Sequence, residues 1–486
     1  MDVESGGITP SERFLTKLSR KTFLKLWSYP NLYNKNRKEL CDLLVVCGDV
    51  AVIFSDKYIN FGSLFEIENS WIRWCKKAVF KSADQIFGAE RYIKNSHKEI
   101  YTDRQCRNKL PLEFDVDALK VYRVVVANGA KESIERYFKG GARGSLCVDS
   151  RVVGKVDHLH RTAMNFKVFT IGDIDPGKGF VHVFNEDNLE LIISELDTIA
   201  DFVSYLDAKE KWFRTKNVTV FAAGEEELLA HYYRCIMAGD DCFNLSQDID
   251  SIDHCIFDEG LWKELQGDLR YLSFKKFLSL SCEWDKIIEM FSTCIQLGEA
   301  YCYDRKFDFS EHETAVRFLA KESRINRVML TKALKEALQL APCNGWFSRT
   351  VFTRNKFVGS NTPYIFVIYP ERPISLEDRR RERLNSLFAY CVVFLALHSE
   401  CKVVVGVALD HVFMDMQSED ILVLQNDNRF DLVKDAIKYQ IIFDIYKDQC
   451  LTYESVVKEF PMFTQNEFFQ IIQEARSMKR EFEYHA

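Results

Sequence analysis

The residues best suited to chemistry in this chain lie between Glu39 and Lys57, in the stretch KELCDLLVVCGDVAVIFSDK that begins at Lys38. Asp42 precedes one apolar run, LLVV, and Ser55-Asp56-Lys57 follows a second, VAVIF. Cys47-Gly48-Asp49 between them is a turn of the Gly/Asp type that closes two-stranded hairpins. Folding that hairpin brings Asp42 beside Ser55, Asp56 and Lys57. An aspartate paired with a nearby acid can hold Mg2+ (or Mn2+), a hard cation that takes carboxylate and water oxygens. A lysine beside it can orient a metal-bound water or help to deprotonate it, and the metal offsets charge building on a phosphodiester. Glu39, three residues before Asp42, can add a ligand or a water contact.

These residues need elements to hold them. Apolar runs as continuous as LLVV and VAVIF imply strands covered on both faces, as in the centre of an α/β sheet. Their charged ends then gather at one end of the sheet, where a site can open to solvent. Residues 11–29 read as a basic amphipathic helix, and WSYPNLYNKNR (27–37) as a loop broken by Pro30 and three Asn. Trp71, Trp74, Ala78, Ile86 and Ala89 recur at three-to-four spacing, which predicts one long helix over 66–95. Strands are expected at 120–127, 145–150, 167–173 and 179–184, and a helix at 190–213.

This layout resembles the PD-(D/E)XK nuclease superfamily, and within it the restriction-endonuclease-like and nuclease-related members. Their pattern is an acid before the sheet, an Asp at a strand start, a hairpin, then a (D/E)-x-K triplet on the next strand. Glu39, Asp42 and Lys57 match the first acid, the Asp and the Lys. Many such nucleases carry a Gln near the site on the following helix, and KSADQIFGAERYI supplies Gln85, with Lys81 one turn earlier. The resemblance covers about residues 15–130. It implies an N-terminal mixed sheet flanked by helices, a Mg2+ or Mn2+ cofactor and hydrolysis of DNA, with RNA as the other candidate substrate.

The sequence departs from the family at one position. The second acid is expected at Ser55, two before Lys57 and on its face of the strand, but the acid stands at Asp56. Three arrangements are compatible with this. A bulge turns Asp56 inward; Ser55 supplies a weak oxygen ligand, with Glu39 and the Asp56 carbonyl completing the site; or the metal site is dead. The last makes the domain an inactive nuclease-like scaffold or regulatory interaction protein.

The chain's 486 residues exceed one ordinary core. Three parts are expected: a nuclease-like domain at 1–215, a mainly helical domain at 216–345 and a C-terminal α/β domain at 346–486. The net charge of −7 does not advertise a nucleic-acid binder, but residues 1–110 hold 19 Lys and Arg against 13 Asp and Glu. A basic N-terminal part on an acidic body suits a chain that meets a polyanion only there. Lys76, Lys77 and Lys81 are the candidate phosphate contacts, against the plainer reading of a solvated helix face. The 15 cysteines include no CxxC pair and read as reduced, buried thiols of a cytoplasmic protein. The longest apolar run, 387–397, is too short to span a membrane, and the first residues lack a secretory h-region.

Other motifs read as structural. Asp157-His158-Leu159-His160 is expected to be a surface turn or strand rather than a metal site. Asp410-His411, after the strand KVVVGVAL, is expected to be a satisfied pair, with a second active centre as the minority reading. Arg379, Arg380, Arg381 and Arg383 are expected on an exposed helix face capped by Ser375. Neither GKGF nor GGARGS fits a nucleotide-binding loop. The assembled expectation is a metal-dependent nuclease whose remaining parts recognise a substrate, partner or trigger. A nuclease with such attachments is what host-defence proteins look like, an analogy at the level of fold.

Overall fold

The computed structural model describes residues 10–139, 144–239, 253–297, 309–355, 360–411 and 419–485. By internal contacts the chain divides into two units, Met1–Leu278 and Ser279–Ala486. In the first, α1 (Pro10–Trp27) leads into β1 (Ser28–Asn34), β2 (Glu39–Cys47) and β3 (Val50–Tyr58). A helical rod follows, made of α2 (Ile67–Trp74), a π-helical segment (Cys75–Phe80) and α3 (Lys81–Ser96). Then come β4 (Ile100–Tyr101), β5 (Lys120–Asn128), α4 (Lys131–Tyr137), β6 (Cys147–Val153), α5 (Gly154–Leu159), β7 (Thr170–Asp173) and β8 (Val181–Phe184).

Six of these strands form a mixed sheet in the order β4-β1-β2-β3-β5-β8. The hairpin pairs β2 with β3 antiparallel from Cys47↔Val50 to Leu43↔Phe54. Gly48 opens its two-residue turn at φ 65, a conformation that costs glycine nothing. β3, β5 and β8 then run parallel. The rod covers one face of this sheet, through α3 on β2, β3 and β5. The other face meets α1, α6 (Glu186–Glu195) and α7 (Ile199–Arg214), where Phe54 stacks on Phe202 at 6.5 Å. The expected mixed sheet flanked by helices is therefore present.

Several expectations are corrected. Residues 28–34, expected as loop, are a strand. Pro30 pairs with Leu43, and on its other side β4 reaches only Tyr33 and Asn34, so the proline's missing N–H faces no ladder. Asn31 takes the backbone bend at φ 50, which Asn tolerates. The helix expected over 66–95 contains the π-helical segment. The helix expected over 190–213 is two helices, because Thr198 accepts from the Asp201 amide and starts α7 afresh.

The boundary expected at 215 falls inside the first unit. There β9 (Val218–Ala222) and β10 (Asp253–Phe257) extend a second sheet in the order β10-β9-β6-β7, covered by α8 (Glu225–Ala238). The unit closes with α9 (Leu261–Gly267) and α10 (Leu269–Leu278). The boundary expected at 345 falls inside the second unit, whose helices α11 (Cys282–Leu297), α12 (Phe309–Ala320) and α13 (Arg324–Leu340) belong with a sheet that follows them. That sheet is β11 (Phe347–Asn355), β12 (Ser360–Tyr369), β13 (Val403–Asp410) and β14 (Glu419–Gln425), in sequence order. Its parallel pair, β12 and β13, is joined through α14 (Leu376–Leu397) as a strand–helix–strand unit. α15 (Arg429–Phe443), α16 (Tyr453–Glu459) and α17 (Gln465–His485) finish the chain. Among the described residues no helix is long and apolar enough to cross a membrane.

Candidate functional site

The site forms where β2 and β3 part. Their pairing ends at Leu43↔Phe54, yet β2 continues against β1 to Glu39 and β3 continues against β5 to Tyr58. A fork opens, and Asp42 stands in it. Its Oδ2 accepts the Asp56 backbone N–H at 2.6 Å, a short charge-assisted bond that replaces the lost ladder. Continuing the register by one step puts Asp42 opposite Ser55.

β3 is paired without interruption to β5 from Val50 to Tyr58, so its side chains alternate. Ser55 and Lys57 share the face that meets the rod. Ser55 is fully buried, and its hydroxyl donates to Gln85 Oε1 at 3.4 Å. Lys57 is half-buried and, among the described residues, forms no ion pair. Asp56 lies on the opposite face, where its Oδ1 accepts from Asn128 Nδ2 at 3.1 Å. The bulge that would turn Asp56 toward Lys57 is not what the chain adopts; the unbroken ladder with β5 forbids it. Asp56 joins the site through its backbone amide. Glu39 is the first residue of β2, half-buried and paired with Tyr33 of β1.

Sequence reasoning overlooked Asn128 and Glu186. Asn128 Oδ1 accepts the Glu186 N–H at 2.9 Å, so one amide side chain ties Asp56 to the start of α6. Burial raises the Glu186 carboxyl above its ordinary pKa, and the negative charge of Asp56 adds to the rise. Asn128-Gly129, an Asn-Gly pair at the end of a strand, was the available signal. Across the ends of β3 and β5 lies a cleft of about 480 Å³, with Trp74 of the rod on one side and Glu186 on the other.

Lys76, Lys77 and Lys81 are all exposed. Lys81 begins α3 four residues before Gln85, on the same helical stripe.

The remaining motifs are structural. His158 is buried in α5, contrary to the expected surface position. Its Nδ1 lies 2.7 Å from the Gly154 carbonyl and its Nε2 accepts the Gly172 N–H at 3.1 Å, which fixes a neutral ring with the proton on Nδ1. Burial lowers its pKa. Arg379 and Arg383 are buried rather than exposed: Arg383 joins Asp410 and Asp420, and Arg379 also reaches Asp410. Asp410 is thus a satisfied structural residue, as expected, and Ser375 caps α14 by accepting from the Asp378 N–H.

Among the described residues, no three His, Cys, Asp or Glu side chains gather as a metal group. The fork instead offers the Asp42 carboxylate, the Ser55 hydroxyl and the Gln85 carbonyl oxygen. All three are hard oxygens, but the buried Ser55 hydroxyl is engaged with Gln85, so Asp42 is the one carboxylate there for an ion such as Mg2+, which keeps several waters and binds through one or two carboxylates plus substrate phosphate. No family model, curated protein or solved structure gives a significant match to this chain.

Proposed function

We propose that the first unit is a divalent-metal-dependent nuclease that hydrolyses DNA phosphodiester bonds, with its centre at the β2–β3 fork. The observation that carries this reading is the fork itself, where Asp42 accepts from the Asp56 amide and Ser55, on the same strand face as Lys57, donates to Gln85. Asp42, with Ser55 beside it, would hold Mg2+ or Mn2+. Bound there, the ion would supply Lewis acidity toward a phosphate and lower the pKa of a water. The chain's own residues do the rest. The Asp56 amide fixes the Asp42 carboxylate, Gln85 holds Ser55, and Lys57 positions the attacking water and meets the charge that builds on the phosphate. Lys76, Lys77 and Lys81 would contact flanking phosphates, and a role in host defence remains part of the proposal.

The rival reading, an inactive nuclease-like scaffold, is favoured by the serine at the expected acid position and by the turning away of Asp56. Cleavage of supercoiled plasmid separates the two. Wild type is expected to nick in Mg2+ or Mn2+ and not in EDTA. Asp42→Ala and Lys57→Ala should each lower the rate by a factor of about 100 or more at unchanged fold, the scale of removing one electrostatic stabiliser. Equal inertness of all three on DNA and on RNA gives the scaffold reading the lead.

A further inference from the structure

The cleft beside the fork has the build of a ligand site, and the reading above does not use it. It holds about 480 Å³, within the range of small-molecule sites. Its inner wall is apolar: Phe61, Trp74, Ile134 and Leu146 line it. Trp74 is held in place by stacking on Trp71 at 5.4 Å and by donating its indole N–H to the Asn128 carbonyl. The mouth is charged. Lys131 of α4 pairs with Asp187 of α6, and Glu186 and Arg136 stand beside them. Tyr58 forms a lip and is 64% exposed.

Position gives the cleft its meaning. Lys57 pairs with Ala127, and Tyr58 with Asn128; three of these four, Tyr58, Ala127 and Asn128, line the cleft. The cleft therefore opens one strand residue, about 3.3 Å, beyond Lys57. A polynucleotide lying with one phosphate at the fork places its neighbouring base over this opening. The exposed ring of Tyr58 at the lip suits the face of a base, over an apolar inner wall. A half-buried carboxylate such as Glu186 accepts from the N–H groups on a base edge, and Lys131 and Arg136 at the mouth suit the attached phosphate.

We infer that this cleft binds one nucleobase of a DNA strand whose phosphate lies at the β2–β3 fork. The inference rests on the nuclease reading for the origin of the base. A free mononucleotide has the same chemistry, and the test separates the two sources.

The test uses the full chain in EDTA, so that nothing is cut, and reads binding by fluorescence anisotropy. The probes are a labelled ten-nucleotide DNA strand, an abasic strand of equal length and free dAMP and dGMP. Wild type should bind the base-bearing strand about tenfold more tightly than the abasic one, a difference of about 1.4 kcal/mol. Ser133→Trp fills the cleft from a half-exposed position on α4, and Tyr58→Ala removes the lip. Each should narrow that difference to less than threefold, with the melting temperature unchanged; Tyr58→Ala serves if the tryptophan variant does not fold. Equal binding of both strands by wild type, no strand binding at all, or unchanged discrimination in both variants overturns the inference. Tighter binding of dAMP or dGMP than of the strand, lost in Ser133→Trp, overturns the strand as the source. Plasmid cleavage in Mg2+ by the same preparations keeps the two readings apart. Cleavage without base discrimination removes the cleft and leaves the nuclease; discrimination without cleavage does the reverse.

Discussion

At the scale of single residues, each key side chain has a distinct environment and hence a distinct cost of removal. Asp42→Ala leaves the Asp56 N–H without its acceptor, and we expect a loss of about 1–2 kcal/mol in addition to lost activity. Lys57→Ala removes no ion pair among the described residues and should be close to neutral in stability. Urea unfolding of both variants beside wild type checks the contrast. His158 gives a pH dependence whose sign is fixed. Burial holds its folded pKa below the unfolded value of about 6.5, so the unfolded chain binds the proton first. The stability it contributes is present above that value and is lost as the pH falls toward the folded pKa. The melting temperature should therefore fall between pH 7.5 and pH 5.5. His158→Gln, which does not titrate, should flatten the curve. His182, buried and held well below its ordinary pKa by burial and the nearby Lys209, Arg123 and Arg214, adds to the same slope.

At the scale of elements, the hairpin was legible because its apolar runs and glycine turn are local signals. The faces of Ser55 and Lys57 followed from strand alternation, whereas Gln85 was singled out only by the resemblance to the nuclease family. What stayed hidden depends on partners distant in the chain. β1 contains Pro30 and Asn31, and it is a strand only because β2 offers a ladder and β4 does not reach the proline. Asn128 gains its role from contacts with Asp56 and Glu186, 72 and 58 residues away. The rod carries its own expectation. Lys81 is exposed on the stripe that also carries Gln85, so Lys81→Ala should weaken DNA binding uniformly across sequences. The slope of log K against log salt should shrink by about one unit, measured by anisotropy from 50 to 200 mM salt. Equal slopes would assign Lys81 to a solvated face.

At the scale of the molecule, internal contacts divide the chain into two units, where the pattern of helices and strands suggested three parts. Residues beyond 215 look helical in isolation, but β9 pairs antiparallel with β6 and draws the segment into the first unit. In the second unit, the run of arginines in α14 reads as a surface face until Asp410 and Asp420 are brought over it from β13 and β14. Arg383 is fully buried between those two acids. Arg383→Met should cost about 3–5 kcal/mol, because it takes from the buried Asp420 its arginine partner and leaves Asp410 with Arg379. Calorimetry should show this as a lowered transition of the second unit, and the plasmid cleavage proposed for the first unit should be unchanged at 25 °C.

The π-helical segment sets a rotational phase for everything that follows it. An α-helix advances about 100° per residue and the wider i→i+5 turns advance less, so rewinding all the residues of Cys75–Phe80 as a regular α-helix would turn α3 by roughly that angle. Gln85 would swing away from Ser55, and the apolar stripe of Ala83, Ile86 and Ile93 would leave the sheet. Deleting exposed Lys76 or Lys77 lets the segment close to α-helix with α3 kept in phase, and should therefore be better tolerated than deleting one residue from α3 itself. Related chains one residue shorter here would be expected to lack the π-helical turn and to keep α3 in the same phase.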